Sequence, residues 1–377
     1  MVANPPAEAG MSFSEIDTPA LVIDLDAFER NLEQMAGFGQ RLGVRLRPHA
    51  KTHKSPVIAR RQIALGAVGI CCQKVSEAEI MVAGGVDDVL VSNQVIGASK
   101  LRRLAALACQ ARIAVCVDHE AGVAALGEAA ELFGAEIDVL VEIDVGAGRC
   151  GVTPGLAALD LARRVADHPR LQFAGLQAYH GAAQHIRDPD ERRTAIERAT
   201  AHTRETVDLV SGAGLACRTI GGAGTGTFYL EGASGLYNEL QVGSYVFLDA
   251  DYARNRGGEG AASFEHALFV LATVMSRPAP ERAVVDAGLK AFSVDSGLPS
   301  THAQPGAEYV GASDEHGVLD LSGGGNPALG EKILLVPGHC DPTVNLHDWY
   351  VGVRGMNGGT GGHVECVWPV AARGAVF

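Results

Sequence analysis

The sequence predicts an α/β fold: a (β/α)8 barrel followed by a mainly β C-terminal domain. Two observations carry this. Between residues 44 and 247, eight short apolar segments alternate with helical stretches, the rhythm of a closed parallel barrel. From about Phe264 the pattern changes to short strands separated by tight turns. The chain is long enough to bury both parts, with 377 residues of which 47% are apolar. A doubly wound open sheet is the alternative, but it usually needs fewer strands.

In order, a Pro/Ala/Gly-rich leader gives way to a strand at Pro19–Ile23. Asp24 or Asp26 then caps an amphipathic helix that runs to about Leu42. The predicted barrel strands lie near 44–48, 67–72, 88–92, 112–117, 136–144, 171–179, 217–221 and 240–247. Helices are predicted at 55–65, 75–83, 97–109, 119–133, 154–167 and 189–213, with a Gly-rich, weakly helical segment before the last strand. The C-terminal strands are expected at 267–275, 282–287, 309–312, 317–321, 333–336, 349–353 and 363–370. Met356-Asn357-Gly358-Gly359 is a hairpin turn signal between the last two. We therefore expect a barrel domain over 25–255 and a β domain over 256–377, to which residues 14–24 add a strand.

Composition excludes several functions. The net charge is −13, with no long basic run, which argues against nucleic acid and anionic membrane surfaces as partners. No apolar run reaches the ~20 residues of a membrane span, and residues 1–14 show no secretion signal. The 8 cysteines are scattered without a CxxC pair and read as reduced thiols of a cytoplasmic protein.

The candidate site follows from one rule: in a barrel, functional groups gather at the carboxyl ends of the strands. The first strand ends in Arg47-Pro48-His49-Ala50-Lys51-Thr52-His53-Lys54. A lysine among other cations can have a lowered pKa, which suits Schiff-base chemistry. A solvated basic loop is the plain alternative for that stretch alone. Lys51 sits at the predicted barrel mouth, whereas Lys54, nearer the next helix, is expected to face solvent or a substrate carboxylate. Other strand ends carry Gln73, Ser92, Arg149, Tyr179, the glycine cluster Gly221–Gly226 and Gly243-Ser244-Tyr245. The cluster is not GxGxxG and lies far from the first βα unit, so a dinucleotide site is unsupported. Barrel loops after the seventh and eighth strands commonly hold phosphate through backbone N–H groups. Here Gly222, Gly224 and Gly243 would let the backbone approach, with hydroxyls from Thr225 and Ser244. A lysine, an aromatic ring and a phosphate cradle together point to pyridoxal 5′-phosphate, with Lys51 as the imine former, Tyr179 against the ring and Arg149 on the phenolic oxygen. In the β domain, His339 and Asp341 in extended backbone would face the same side. That pair suits Mn²⁺ or Mg²⁺ and can take Zn²⁺. A histidine satisfied by an aspartate is the commoner explanation of such a pair.

Four segments carry a resemblance: Arg47–Lys54, Gly69–Ala78, Glu142–Gly151 and Gly338–Thr343. They resemble the D-threonine aldolase family, which includes 3-hydroxy-D-aspartate aldolases and dehydratases and D-serine dehydratases. The resemblance runs from about residue 15 to the C-terminus. It implies the alanine-racemase-like pyridoxal phosphate fold (fold type III), usually homodimeric. It also implies the imine on Lys51, the phenolic-oxygen contact on Arg149, ring packing on Tyr179, a divalent metal on His339 and Asp341, and His185 near the metal-bound substrate; the strand ends add Gln73, Gly222, Gly224, Thr225, Gly243, Ser244 and Tyr245 as expected cofactor contacts. The dehydratase branches typically carry cysteine where this chain has Asp341. The implied reaction is metal-assisted cleavage of a D-β-hydroxy amino acid, D-threonine or 3-hydroxy-D-aspartate, to glycine and an aldehyde. A dehydratase, a racemase and a non-catalytic carrier of the cofactor are the rival readings. The 356–362 loop is longer than the resemblance leads one to expect.

Overall fold

A computed structural model describes residues 4–377; the first three residues of the leader lie outside it. Strand β1 (Ala20–Asp24) opens the chain. The barrel strands follow as β2 (Arg45–Leu46), β3 (Ile70–Cys72), β4 (Asp88–Gln94), β5 (Arg112–Val117), β6 (Ile137–Glu142), β7 (Leu171–Gln177), β8 (Thr219–Gly222) and β9 (Glu239–Leu240). All pair in parallel in the order β2-β9-β8-β7-β6-β5-β4-β3. The seam between β2 and β3 is closed by a His49–Cys71 bridge and by backbone bonds from Val68 N to Leu46 O (2.9 Å) and Cys71 N to Pro48 O (2.8 Å). The (β/α)8 barrel is thus present.

Local signals act where expected. Asp24 accepts from the Asp26 and Ala27 amides, and Gly43 ends the first helix at φ 65°, a conformation glycine adopts without Cβ strain. Pro56 occupies the first turn of the helix Pro56–Ala64 after Ser55, although the Ser55 hydroxyl makes no cap bond. One strand differs. The apolar run predicted as 240–247 pairs only at Glu239–Leu240 and then tightens into a 3₁₀ turn at Ser244–Val246. The side chains of Tyr245, Val246 and Phe247 are buried, so burial rather than strand pairing explains their hydrophobicity.

The C-terminal sheet contains β10 (Leu268–Ala279), β11 (Arg282–Val285), β12 (Ser300–His302), β13 (Glu308–Ala312), β14 (Gly317–Asp320), β15 (Lys332–Val336), β16 (Trp349–Arg354) and β17 (His363–Pro369). The short β12, which pairs with β15, was not predicted. β1 joins this sheet, antiparallel to β10 and parallel to β16, so residues N-terminal to the barrel fasten the β part to it. A shared core of Phe28, Tyr245, Phe247, Phe292 and Tyr350 spans the junction. Among the described residues, no helix is long and apolar enough to cross a membrane.

Candidate active site

The barrel mouth holds a cleft lined by His49, Lys51, Gln73, Ser92, Arg149, Gln177, Tyr179, Gly224, Thr225, Gly243, Ser244 and Tyr252, among others. Lys51 reaches it from the loop after β2. Its Nζ forms an ion pair with Asp341 Oδ2, so the barrel lysine and the β-part carboxylate meet. Burial lowers the lysine pKa, but Asp341 and Tyr179 outweigh it and the net shift is upward. This corrects the expectation of a lysine acidified by neighbouring cations: the nearest charge is an anion. Burial raises the Asp341 carboxyl pKa, but Lys51 and His339 hold it well below the usual carboxylate range.

Lys54 is also corrected. It faces neither solvent nor the cleft. It is 6% exposed, sits at φ 49° and donates to Glu77 Oε1 at 3.0 Å. His49 is buried, and its Nδ1 accepts from the Lys51 amide at 3.3 Å. Its Nε2 lies 3.1 Å from both Gln73 Nε2 and Ser92 Oγ. Burial and the Lys51 charge push its pKa down, so a neutral imidazole borders the lysine. Arg149 stands 5.6 Å over the Tyr179 ring and has no ion pair among the described residues. Gln177 and Gln241 bond each other at 2.6 and 2.9 Å.

The loops after β8 and β9 offer the backbone amides of Gly224, Thr225, Gly243 and Ser244, none of which donates to a protein acceptor. Buried N–H groups are normally paired, so this cluster suits an oxyanion such as a phosphate monoester. The glycines themselves serve chain packing. A Cβ on Gly222 would lie 2.6 Å from Ala178 O, one on Gly224 2.5 Å from Gln184 Oε1, and one on Gly243 2.7 Å from Thr52 Oγ1. The left-handed residue of the loop is Ala223, at φ 69°. Gly222 and the Tyr245 side chain lie off the cleft. Tyr245 is 2% exposed, its hydroxyl accepts from Gln62 at 3.0 Å, and its amide donates to Thr225 Oγ1 at 3.0 Å.

His339 and Asp341 are not in one extended run, as the spacing suggested. His339 precedes the one-turn helix Cys340–Val344, on which Asp341 sits. His339 Nδ1 is 2.8 Å from Asp295 Oδ2, which fixes the ring and leaves Nε2 uncommitted. Asp341 Oδ1 is buried without a partner. An oriented imidazole and an orphaned carboxylate oxygen fit a divalent cation, although no group of three or more His, Cys, Asp or Glu side chains among the described residues could enclose one. His185 lies outside the cleft lining on the 3₁₀ turn Ala182–His185. Its Nδ1 is 2.6 Å from Asp251 Oδ2, and its ring is 5.5 Å from that of the cleft residue Tyr252. The preceding residue, Gln184, accepts from the Gly226 amide at 3.0 Å and donates to Thr227 Oγ1 at 2.8 Å. The sequence reading placed His49 at the end of the first strand but gave it no role, and it missed Gln177, Gln241, Asp251, Tyr252 and Asp295. Of these, only Gln177 and Gln241 stand at or near barrel strand ends, where that rule could have found them.

The barrel and this lysine define a class: residues 23–251 match the alanine racemase N-terminal domain family, and residues 267–353 match a serine dehydratase domain. The 3-hydroxy-D-aspartate aldolase of Paracoccus denitrificans (strain Pd 1222) is 49% identical over 98% of this chain and 95% of its own length. The D-threonine aldolase of an Arthrobacter species is 49% identical over 98% of this chain and 96% of its own. The crystal structure of the D-threonine aldolase of Filomicrobium marinum superposes with a TM-score of 0.96 at 55% identity, covering 99% of this chain and 100% of that one. The chain belongs to the family of D-threonine and 3-hydroxy-D-aspartate aldolases.

Proposed function

We propose that the protein is a lyase that cleaves D-β-hydroxy amino acids to glycine and an aldehyde, using pyridoxal phosphate and a divalent cation. The observation that carries this is the meeting of Lys51 with Asp341, which puts a lysine nucleophile beside a cation ligand. In this reading Lys51 Nζ holds the cofactor aldehyde. The free amides of Gly224, Thr225, Gly243 and Ser244, with the Thr225 and Ser244 hydroxyls, hold its phosphate. Tyr179 packs against the ring, and Arg149 and Gln73 orient the polar edge. When bound, pyridoxal phosphate supplies a sink for the electron pair left at Cα as the Cα–Cβ bond breaks. His339 Nε2 and Asp341 Oδ1 would hold Mn²⁺, Mg²⁺ or Zn²⁺, which supplies Lewis acidity to the β-hydroxyl. His185 accepts the β-hydroxyl proton at Nε2, with Nδ1 held by Asp251.

The test is product analysis with D-threonine. Glycine and acetaldehyde support the proposal, whereas 2-oxobutanoate identifies a dehydratase. Equal cleavage of L-threonine would refute the assigned handedness.

A further inference from the structure

Behind the phosphate loop lies a second chamber of about 290 Å³, open to solvent on one side and lined by Arg192, Thr225, Tyr229, Tyr252, Asn255 and Phe264, among others. It shares Thr225 and Tyr252 with the cleft. Arg192 is 1% exposed, and every acceptor it meets is neutral. Nε and Nη2 donate to Tyr229 Oη at 3.3 and 3.2 Å. Nη1 donates to Ile186 O at 2.5 Å and Nη2 to Arg256 O at 2.7 Å. No described carboxylate pairs with it. The nearby acids are committed elsewhere: Asp251 to His185, Arg187 and Arg254, and Asp188 to Arg256. Other buried cations of this chain are compensated, Arg47 by Asp88 and Glu239 and Lys54 by Glu77. An uncompensated charge at this depth is costly unless something neutralises it.

The hydroxyls around the chamber have the matching polarity. Tyr229 Oη accepts from Arg192, so its own proton is available, and it has no acceptor among the described hydrogen bonds. Thr225 Oγ1 accepts from the Tyr245 amide, and its one proton, assigned above to the cofactor phosphate, serves the chamber only where that phosphate is the oxyanion. Donors that themselves accept from a cation are strengthened.

We propose that this chamber is a binding site for a small oxyanion, a carboxylate or phosphate, with Arg192 supplying the charge and Tyr229 relaying it as a hydrogen bond. Binding of free phosphate does not depend on the aldolase reading; the cofactor and dicarboxylate sources rest on it. The oxyanion has three sources: free phosphate, the phosphate end of a cofactor reaching past Thr225, or the second carboxylate of a dicarboxylic substrate.

The experiment compares wild type, Arg192→Met and Tyr229→Phe as cofactor-loaded proteins. Inorganic phosphate is titrated calorimetrically, cofactor retention is followed by visible absorbance through gel filtration, and KM is measured for 3-hydroxy-D-aspartate against D-threonine. We expect Arg192→Met to weaken one of these at least 10-fold and Tyr229→Phe to weaken the same one at least 3-fold; the one affected identifies the source. If Arg192→Met does not fold, Tyr229→Phe decides alone. Folded variants that match wild type in all three measurements overturn the proposal.

Discussion

The two halves of the candidate site are built differently. The barrel half rests on parallel strand ends, and its groups are largely neutral: an uncharged His49, the Gln177–Gln241 pair and free backbone amides. Lys51 and Arg149 are its cations. The β half hangs on a one-turn helix and a loop, and it presents charge and lone pairs from His339, Asp341 and Asp295. In the function proposed above, the barrel half seats the cofactor and the β half acts on the substrate's β-hydroxyl. Disabling each half separately should therefore give different failures.

The largest effect is expected in the barrel half. Lys51→Ala should lose the visible absorbance of the lysine-bound cofactor and at least about 10³-fold in kcat, a typical loss for a covalent catalyst. Borohydride reduction and peptide mapping should mark Lys51; a mark on Lys54 would erase the distinction drawn between them. The β half should fail differently. EDTA treatment, His339→Ala or Asp341→Ala should leave that absorbance in place and abolish carbon–carbon cleavage, with activity returning to the stripped wild type on addition of Mn²⁺. Full-rate cleavage by verified metal-free protein would remove the cation from the mechanism.

Lys54→Met tests structure rather than chemistry. It leaves Glu77 buried without its partner, and denaturant unfolding should show a loss of about 3–5 kcal/mol. Glu231, fully buried beneath the phosphate loop, gives a pH test. Burial pushes its carboxyl up to about 7. An acid with a raised folded pKa contributes stability below its unfolded value of 4.5, and this is lost as pH rises through about 7. Glu231→Gln should match wild type near pH 5 and exceed it near pH 8 by roughly 3 kcal/mol in thermal or urea unfolding. Equal stability at both pH values would reject the assignment. The smallest effect is expected at Asp295, where Asp295→Asn should weaken Mn²⁺ binding about 10-fold by calorimetry while cofactor absorbance stays unchanged.

The same division decided what could be read from sequence. Strand ends of a parallel barrel converge by topology, so Lys51, Gln73, Arg149 and Tyr179 could be placed together from periodicity alone. Lys54 could not, because its burial depends on Glu77, a partner defined only by folding. The Lys51 pKa was misjudged because its dominant neighbour, Asp341, lies 290 residues away. His339 and Asp341 could be singled out from their spacing, but their geometry could not. Pro342, which lacks an N–H to pair, fits the first turn of the helix Cys340–Val344 and was the overlooked signal. Asp295 carries no local pattern at all.

Gln184 has a mechanical consequence. It is 1% exposed. Its side chain holds the Gly226 amide and the Thr227 hydroxyl, and its carbonyl accepts from Asn255 at 2.9 Å. Side chains added at Gly224 or Gly226 would collide with it. The phosphate loop and the turn bearing His185 therefore share one bearing. Gln184 thus ties the Gly224–Thr227 loop directly to the residue before the His185 imidazole.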